Sequence, residues 1–414
     1  MKYPTSISRE SLMATACRHS KLFSGLILAG SMLAGSHTLR AGTWTGNAST
    51  DWNNSAGNWS GGNGGTAQVN TTPANIATIS ANITTVPTTI FVGNGATANG
   101  RVNHHAGNAS VSAGNDMVLG RAGGSGTYNL ANTAGTGGAL TGFGQGSGNL
   151  TIPDQAFIGG TTTVSGGGTG VLNIHTTGTV TIGSQMYMVK PKGAGTPSGT
   201  VRLDSGTVTV GTDFAIGSGT GCTGVFSMSG GSFTKNASGT TAVTIGGAPT
   251  SAALNGGTGT FNLSGGTFTS AGLISVGHRP STNGTLNVSG GTLNLNNDLQ
   301  VGSYTGATGA VVVSGGTINS TGWVVVGRRD GAEGVAVGGV GNVNMTNGTW
   351  NKTGDSNFIV GAHGNGTMTM SGGLVNVGTS AVADRGITWV GEQNNCTGTL
   401  TLSNTAEFRT ARIT

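Results

Sequence analysis

A short phrase restarts six times between Gly259 and the C-terminus. It runs as a glycine, alternating small-polar and apolar residues, a Ser-Gly-Gly-like turn, a second β-prone stretch, then an apolar residue followed by glycine. Two copies are uninterrupted, G-T-L-N-V-S-G-G-T-L-N-L-N-N-D-L-Q-V-G (284–302) and G-A-V-V-V-S-G-G-T-I-N-S-T-G-W-V-V-V-G (309–327), offset by 25 residues. A β unit this short cannot bury an apolar face alone, whereas stacked copies bury a continuous core between them. The phrase contains three short strands. In G-T-F-N-L-S-G-G-T-F-T-S, alternation puts Phe261 and Leu263 on one face with Asn262 opposite, and Phe268 points inward again past the Gly265-Gly266 corner. The segment L-I-S-V-G (273–277) supplies the third strand. The expected fold is therefore all-β, a right-handed, three-sided parallel β-helix of about 25-residue coils.

Composition agrees. The 414 residues include 81 glycines and only 7% charged side chains. Disorder is excluded by the Val, Ile, Leu and Phe that recur at alternate positions, since disordered segments lack apolar residues. Of 18 Lys and Arg, five (Lys2, Arg9, Arg18, Lys21, Arg40) lie before residue 42, as does one acid, Glu10, so the rest of the chain holds 13 bases and 12 acids. That balance excludes a nucleic-acid partner.

Three parts follow from this reading. Residues 1–41 are expected to be a secretory signal peptide, because Arg18 and Lys21 precede an apolar run of 13 residues (22–34) too short to cross a bilayer. The stretch before Met13 is long for a signal, which implies either an extended leader or translation starting at Met13. Residues 42–65, with Trp44, Trp52 and Trp59, are expected to cap the first coil against edge pairing, in preference to forming an aromatic sugar platform. Residues 66–414 carry the coils, degenerate to about residue 160 and clear from about 199. G-R-V-N-H (100–104), G-T-Y-N-L (126–130) and G-N-L-T-I (148–152) are read as coil openings, and extra residues as loops inserted between the apolar-Gly stop and the next start. Cys222 and Cys396 share one repeat position, but six coils of about 4.8 Å separate them by roughly 30 Å. Two free thiols are expected.

The S-G-G turn followed about ten residues later by apolar-Gly resembles the glycine-rich repeat of autotransporter (type V secretion) passengers and of PEP-CTERM-associated surface proteins, over roughly 199–402. The T-W-T-G opening (43–46) resembles them too. The resemblance implies a secreted or cell-surface bacterial β-helix. The membrane β-barrel of the first group and the terminal tripeptide, helix and arginine cluster of the second are not found in the sequence. It ends in mid-repeat, which implies further chain after Thr414 or a separately encoded partner, and membrane attachment only through such an anchor or barrel.

No catalytic, cofactor or metal residues are assigned. Glycoside chemistry needs paired carboxylates, but Asp116, Asp154, Asp204, Asp213, Asp298 and Asp355 are isolated, and the closest pair, Asp330 and Glu333, reads as a solvated loop. His104 and His105, adjacent on a strand, face opposite sides and cannot chelate together. The calcium nonapeptide is absent. Arg121, His278 and Arg328 each follow an apolar-Gly stop and would stack into a sparse stripe suited to acidic glycans. The expected function is an exported structural or adhesive module, not an enzyme, with extracellular glycans or other surface components as partners. Two alternatives remain: a polysaccharide lyase or glycosidase on the same fold, and an ice- or surface-binding solenoid. The latter rests on the Thr-x-Thr pairs 179/181, 207/209, 267/269, 367/369 and 399/401, which Asn294, Asn319, Asn351 and inserted loops are expected to interrupt.

Overall fold

Three strands per turn are what the repeat builds, as in Thr282–Val288, Thr292–Leu295 and Leu299–Val301. The structure is a computed structural model that describes residues 42–44, 52–53, 59–60, 65–70, 76–132, 144–161, 166–190, 196–238, 242–249, 255–328, 338–378, 386–393 and 396–414, all within the unit Leu39–Thr414. Each strand pairs in parallel with its counterparts in the coils before and after, for example Leu286 with Phe261 and with Val311. The result is a three-sided parallel β-solenoid. Its first two faces form one bonded sheet of 21 strands and its third face a separate sheet of 14. Two strands, Thr169–Ile182 and Ser198–Val210, run unbroken round the corner between the first two faces, through irregular register rather than a Ser-Gly-Gly turn.

The core is a set of inward ladders. Phe226, Phe261, Leu286, Val311, Val343 and Met368 stack on face one, and Phe233, Phe268, Leu293, Ile318, Trp350 and Val375 on face two. Phe214, Val243, Ile274, Leu299, Val324 and Phe358 stack on face three, and every member of these rows is buried. Phe233 and Phe268 stack at 4.8 Å and Phe226 lies 4.9 Å from Phe261, so aromatic contact adds to burial across several coils. The neighbouring inward row of face two, with Ser270, Leu295 and Ser320, holds Lys235 and Lys352. Their ammonium groups reach out to corner carbonyls, Ala237 O for Lys235 and Thr321 O and Thr353 O for Lys352, and burial pushes both pKa values down to about 8.

Outward, the first two faces are ladders of amides and hydroxyls. Asn129 donates to Asn103 (2.9 Å) and Asn173 to Asn129 (2.7 Å) on face one, while Asn319 donates to Asn294 (2.9 Å) and Asn351 to Asn319 (3.1 Å) on face two. Such ladders tie coil to coil with side chains that would otherwise bind only water. The stop glycine of each coil sits at positive φ, +71° at Gly277 and +69° at Gly302, and a Cβ on Gly277 would come within 2.4 Å of Thr308 O. Val189 holds the same place at φ 69° with its side chain buried; nothing in the structure explains how a β-branched residue is tolerated there.

Two readings are corrected. Asn149–Ile152 lies on face two, paired with Asn108–Ser110 and with Val180 to Ile182, and does not open a coil. The face-one strand of this coil is Ser125–Leu130, so Asn149–Ile152 is its second strand, and the long stretch of sequence between the two falls between the first and second faces. Insertions therefore do not all enter at the same edge. At the N-terminal end, Gly42–Trp44 is covered by the antiparallel strand Trp59–Ser60, and Trp52 is wholly buried in the core. Residues 1–41, and the pair Asp330 and Glu333, lie outside the described residues. Cys222 and Cys396 are both free thiols, and burial pushes Cys222 up to about 12.

His104 gives the fold an acid limit. It is wholly buried, and Gly107 O, which can only accept, fixes the proton on Nε2 (3.0 Å), leaving Nδ1 to accept from Tyr128 Oη (3.0 Å). Burial lowers its pKa from 6.5 to about 4. Below 6.5 the unfolded chain takes up this proton first, so stability is full above 6.5 and falls as pH drops toward 4, by about 3 kcal/mol at most. Urea unfolding at pH 7 and pH 4.5 should show this loss in the native chain and a clearly smaller one in His104→Leu.

Candidate binding face

The third face differs from the other two. Several of its strands, among them Ala156–Ile158, Met186–Met188 and Phe358–Val360, are buried at all three positions, so the outward middle residue is covered as well. After Thr43 and Gln68 that outward row runs Phe91, Val118, Phe157, Tyr187, Ala215, and it ends Val325, Ile359, Trp389, forming two apolar clusters separate from the main core. Between the clusters the row is polar, with Thr244, Ser275 and Gln300. There His278, Arg279 and Tyr304 close over it. His278 is hydrogen-bonded to Ser275 Oγ (3.0 Å) and meets the Tyr304 ring edge-on at 5.2 Å, while Arg279 lies over Tyr304 and donates to Ala248 O and Pro249 O. The filled waist leaves a concavity on either side.

The first concavity, about 380 Å³, is floored by Phe91, Val118 and Phe157. Asp116, Gln155 and Gln185 rise on the edge where the strand enters, and Arg121, Thr161 and Lys190 on the edge where it leaves. Phe157 stacks on Tyr187 (5.8 Å, 11°), and Lys190 Nζ covers Tyr187 at 3.6 Å from the ring centre. Arg121 lies over Phe91 at 4.8 Å and donates from Nη1 to Asn94 Oδ1 (3.3 Å), but its Nε is shielded from water with no acceptor among the described residues. Desolvation lowers the pKa of both cations, opposed at Lys190 by Asp213 and Asp116. The second concavity, about 240 Å³, is lined by Asp298, Trp323, Val325, Arg328, Ile359, Ala362, His363 and Glu392. Burial raises the Glu392 carboxyl, partly offset by His363.

Of the residues singled out in the sequence, Arg121 lines the first concavity, Arg328 lines the second, and His278 sits 7% exposed in the waist between them. All three occupy one edge of face three, without forming one shared site. The apolar outward row was missed, although its signal is plain: A-F-I, M-Y-M, V-V-V and F-I-V do not alternate, which marks strands buried on both sides.

The acids have structural partners. Asp116, Asp213 and Asp298 each accept a backbone N–H from the next coil, those of Gln155 (3.1 Å), Ala242 (2.9 Å) and Trp323 (2.9 Å), at the corner entering face three. No group of three or more His, Cys, Asp or Glu side chains suited to a metal exists among the described residues. No protein family, characterised protein or solved structure matches this chain.

Proposed function

We propose that this chain is an exported, non-catalytic β-solenoid that acts outside the bacterial cell as a stiff adhesive rod, like the autotransporter-type and PEP-CTERM-associated repeats it resembles. The observation that carries the reading is the contrast between faces. Two are tied coil to coil by their own amides and hydroxyls, and only the third presents apolar rows cradled between polar rims. Such recessed apolar floors with a few convergent polar groups are what small carbohydrate or peptide segments bind. Asp116, Asp213 and Asp298 cap backbone amides, a positional role that competes with acid–base work.

The test is binding of the purified chain to surfaces coated with bacterial and host polysaccharides. Lys190→Glu with Arg328→Glu should weaken binding about tenfold or more, while Asn294→Asp with Thr317→Asp on face two should change it less than about twofold. Undiminished binding in the first variant would move the contact surface off face three.

One observation favours a second reading. The outer row of face two runs in register from Thr179 to Thr349 as threonine at every coil except Ser232, and no inserted loop interrupts it. The expected interruption is therefore confined to the neighbouring row, where Asn294, Asn319 and Asn351 follow Thr269. The pairs 367/369 and 399/401 lie on face one and are no part of it. A regular hydroxyl rank about 4.8 Å in repeat suits an ordered water or mineral surface, and ice-recrystallisation inhibition lost in Thr267→Lys would support that reading over adhesion through face three.

A further inference from the structure

Val118 stands between Phe91 and Phe157 on the outer row of face three, and it is too short to fill the space between two rings that lie two strands, roughly 10 Å, apart. One face of Phe157 is taken by Tyr187, so its other face looks across Val118 toward Phe91. The recess takes a ring-sized group. Its rim sets the chemistry of that group. Nη1 of Arg121 is held by Asn94 Oδ1 and its Nε is shielded from solvent, which leaves Nη2 as the charged donor for a ligand carboxylate oxygen. Lys190 brings a second cation to the same rim, while Gln155, Gln185 and Asp116 supply the carboxamide and carboxylate groups that hold sugar hydroxyls. Backbone donors, the usual ligands of phosphate, are spent on the neighbouring coil here, as Gly159 N donates to Leu119 O (2.6 Å).

We propose that the first concavity binds a uronate residue of an acidic polysaccharide, its ring resting on Val118 against Phe157, its carboxylate on Arg121, and its hydroxyls on the Gln155 and Asp116 rim. The assignment rests on the adhesive reading above and deepens it by naming the ligand class. The chain would follow the solenoid axis, since the recess is built by successive coils.

The experiment is calorimetric titration of the full chain with tetragalacturonate and with a neutral galactose tetramer. The acidic oligomer should bind at least about tenfold more tightly, and more weakly as salt rises, because a charge-assisted pair carries the difference. Arg121→Gln should lose about tenfold or more and Gln155→Ala a smaller factor, with Thr285→Ala on the outer row of face one unchanged. If Arg121→Gln does not fold, as judged by its melting curve, Lys190→Gln replaces it with the same expectation. Equal affinity for the two oligomers, or indifference to both cation variants, would overturn the assignment. If neither oligomer binds while the Lys190/Arg328 double variant still weakens adhesion to coated surfaces, the ligand class is wrong and the adhesive reading stands. If adhesion is also untouched, both fall.

Discussion

Leu286→Asp is expected to abolish folding of the coils on either side of it. Leu286 is wholly buried in the face-one ladder between Phe261 and Val311, with no cation beside it in that row. An unpaired carboxylate there costs several kcal/mol even after protonation, and the lost apolar contact adds about 2 to 3 kcal/mol. Because each coil rests only on its neighbours, the damage should be local at first. Limited proteolysis should cut the variant within a coil or two of residue 286 under conditions where the native chain resists. Circular dichroism should show the cooperative melt weakened or lost. A melt unchanged within a few degrees would mean that position 286 does not face the core.

Gly277→Val is expected to be nearly as damaging, for a different reason. The backbone there has φ +71°, where a β-branched residue is strained, and the added Cβ would lie 2.4 Å from Thr308 O and 3.0 Å from Gly309 N. Those contacts are main-chain atoms of the Thr308–Val313 strand, which cannot yield without disturbing its ladder. Destabilisation of about 3 kcal/mol or more follows from strain and overpacking together, read as a fall in the urea midpoint. Gly306→Val is the contrast: its φ of +75° carries the same conformational strain, but nothing lies closer to the added atom than Ser281 N at 3.8 Å. Equal losses in the two variants would assign the effect to φ alone and remove the close approach from the account.

These two positions also show why the fold was legible. Alternation around Phe261, Leu263 and Phe268 specifies which side chains enter the core, and the recurring glycines mark where φ turns positive or two backbones meet. Both signals are local, and stacking multiplies them. The candidate site was less legible. Treating V-V-V-G or M-Y-M-V as a stop hides its middle residue, and only the placement of His278, Arg279 and Tyr304 divides the outer row into two recesses. The stripe of Arg121, His278 and Arg328 shares an edge, as stacking requires, yet the buried bond from His278 to Ser275 takes the middle member out of reach of a surface ligand. Lys235 and Lys352 escaped the pattern because a long stem lets a cation occupy a core position and end at corner carbonyls. Gly148 misled for the opposite reason: followed by alternating Asn149 to Ile152 it imitates a coil opening, although that strand belongs to face two.

The solenoid is proposed to bind without turnover. The most direct test of that is to incubate the chain with the polysaccharide it binds most tightly and to measure the length distribution of the recovered polymer. An unchanged distribution after prolonged incubation, with protein and polymer still associated, is the predicted result. Progressive shortening that stops in Asp298→Asn or Glu392→Gln, the two carboxylates of the second concavity, would contradict it and identify a polysaccharide-cleaving enzyme.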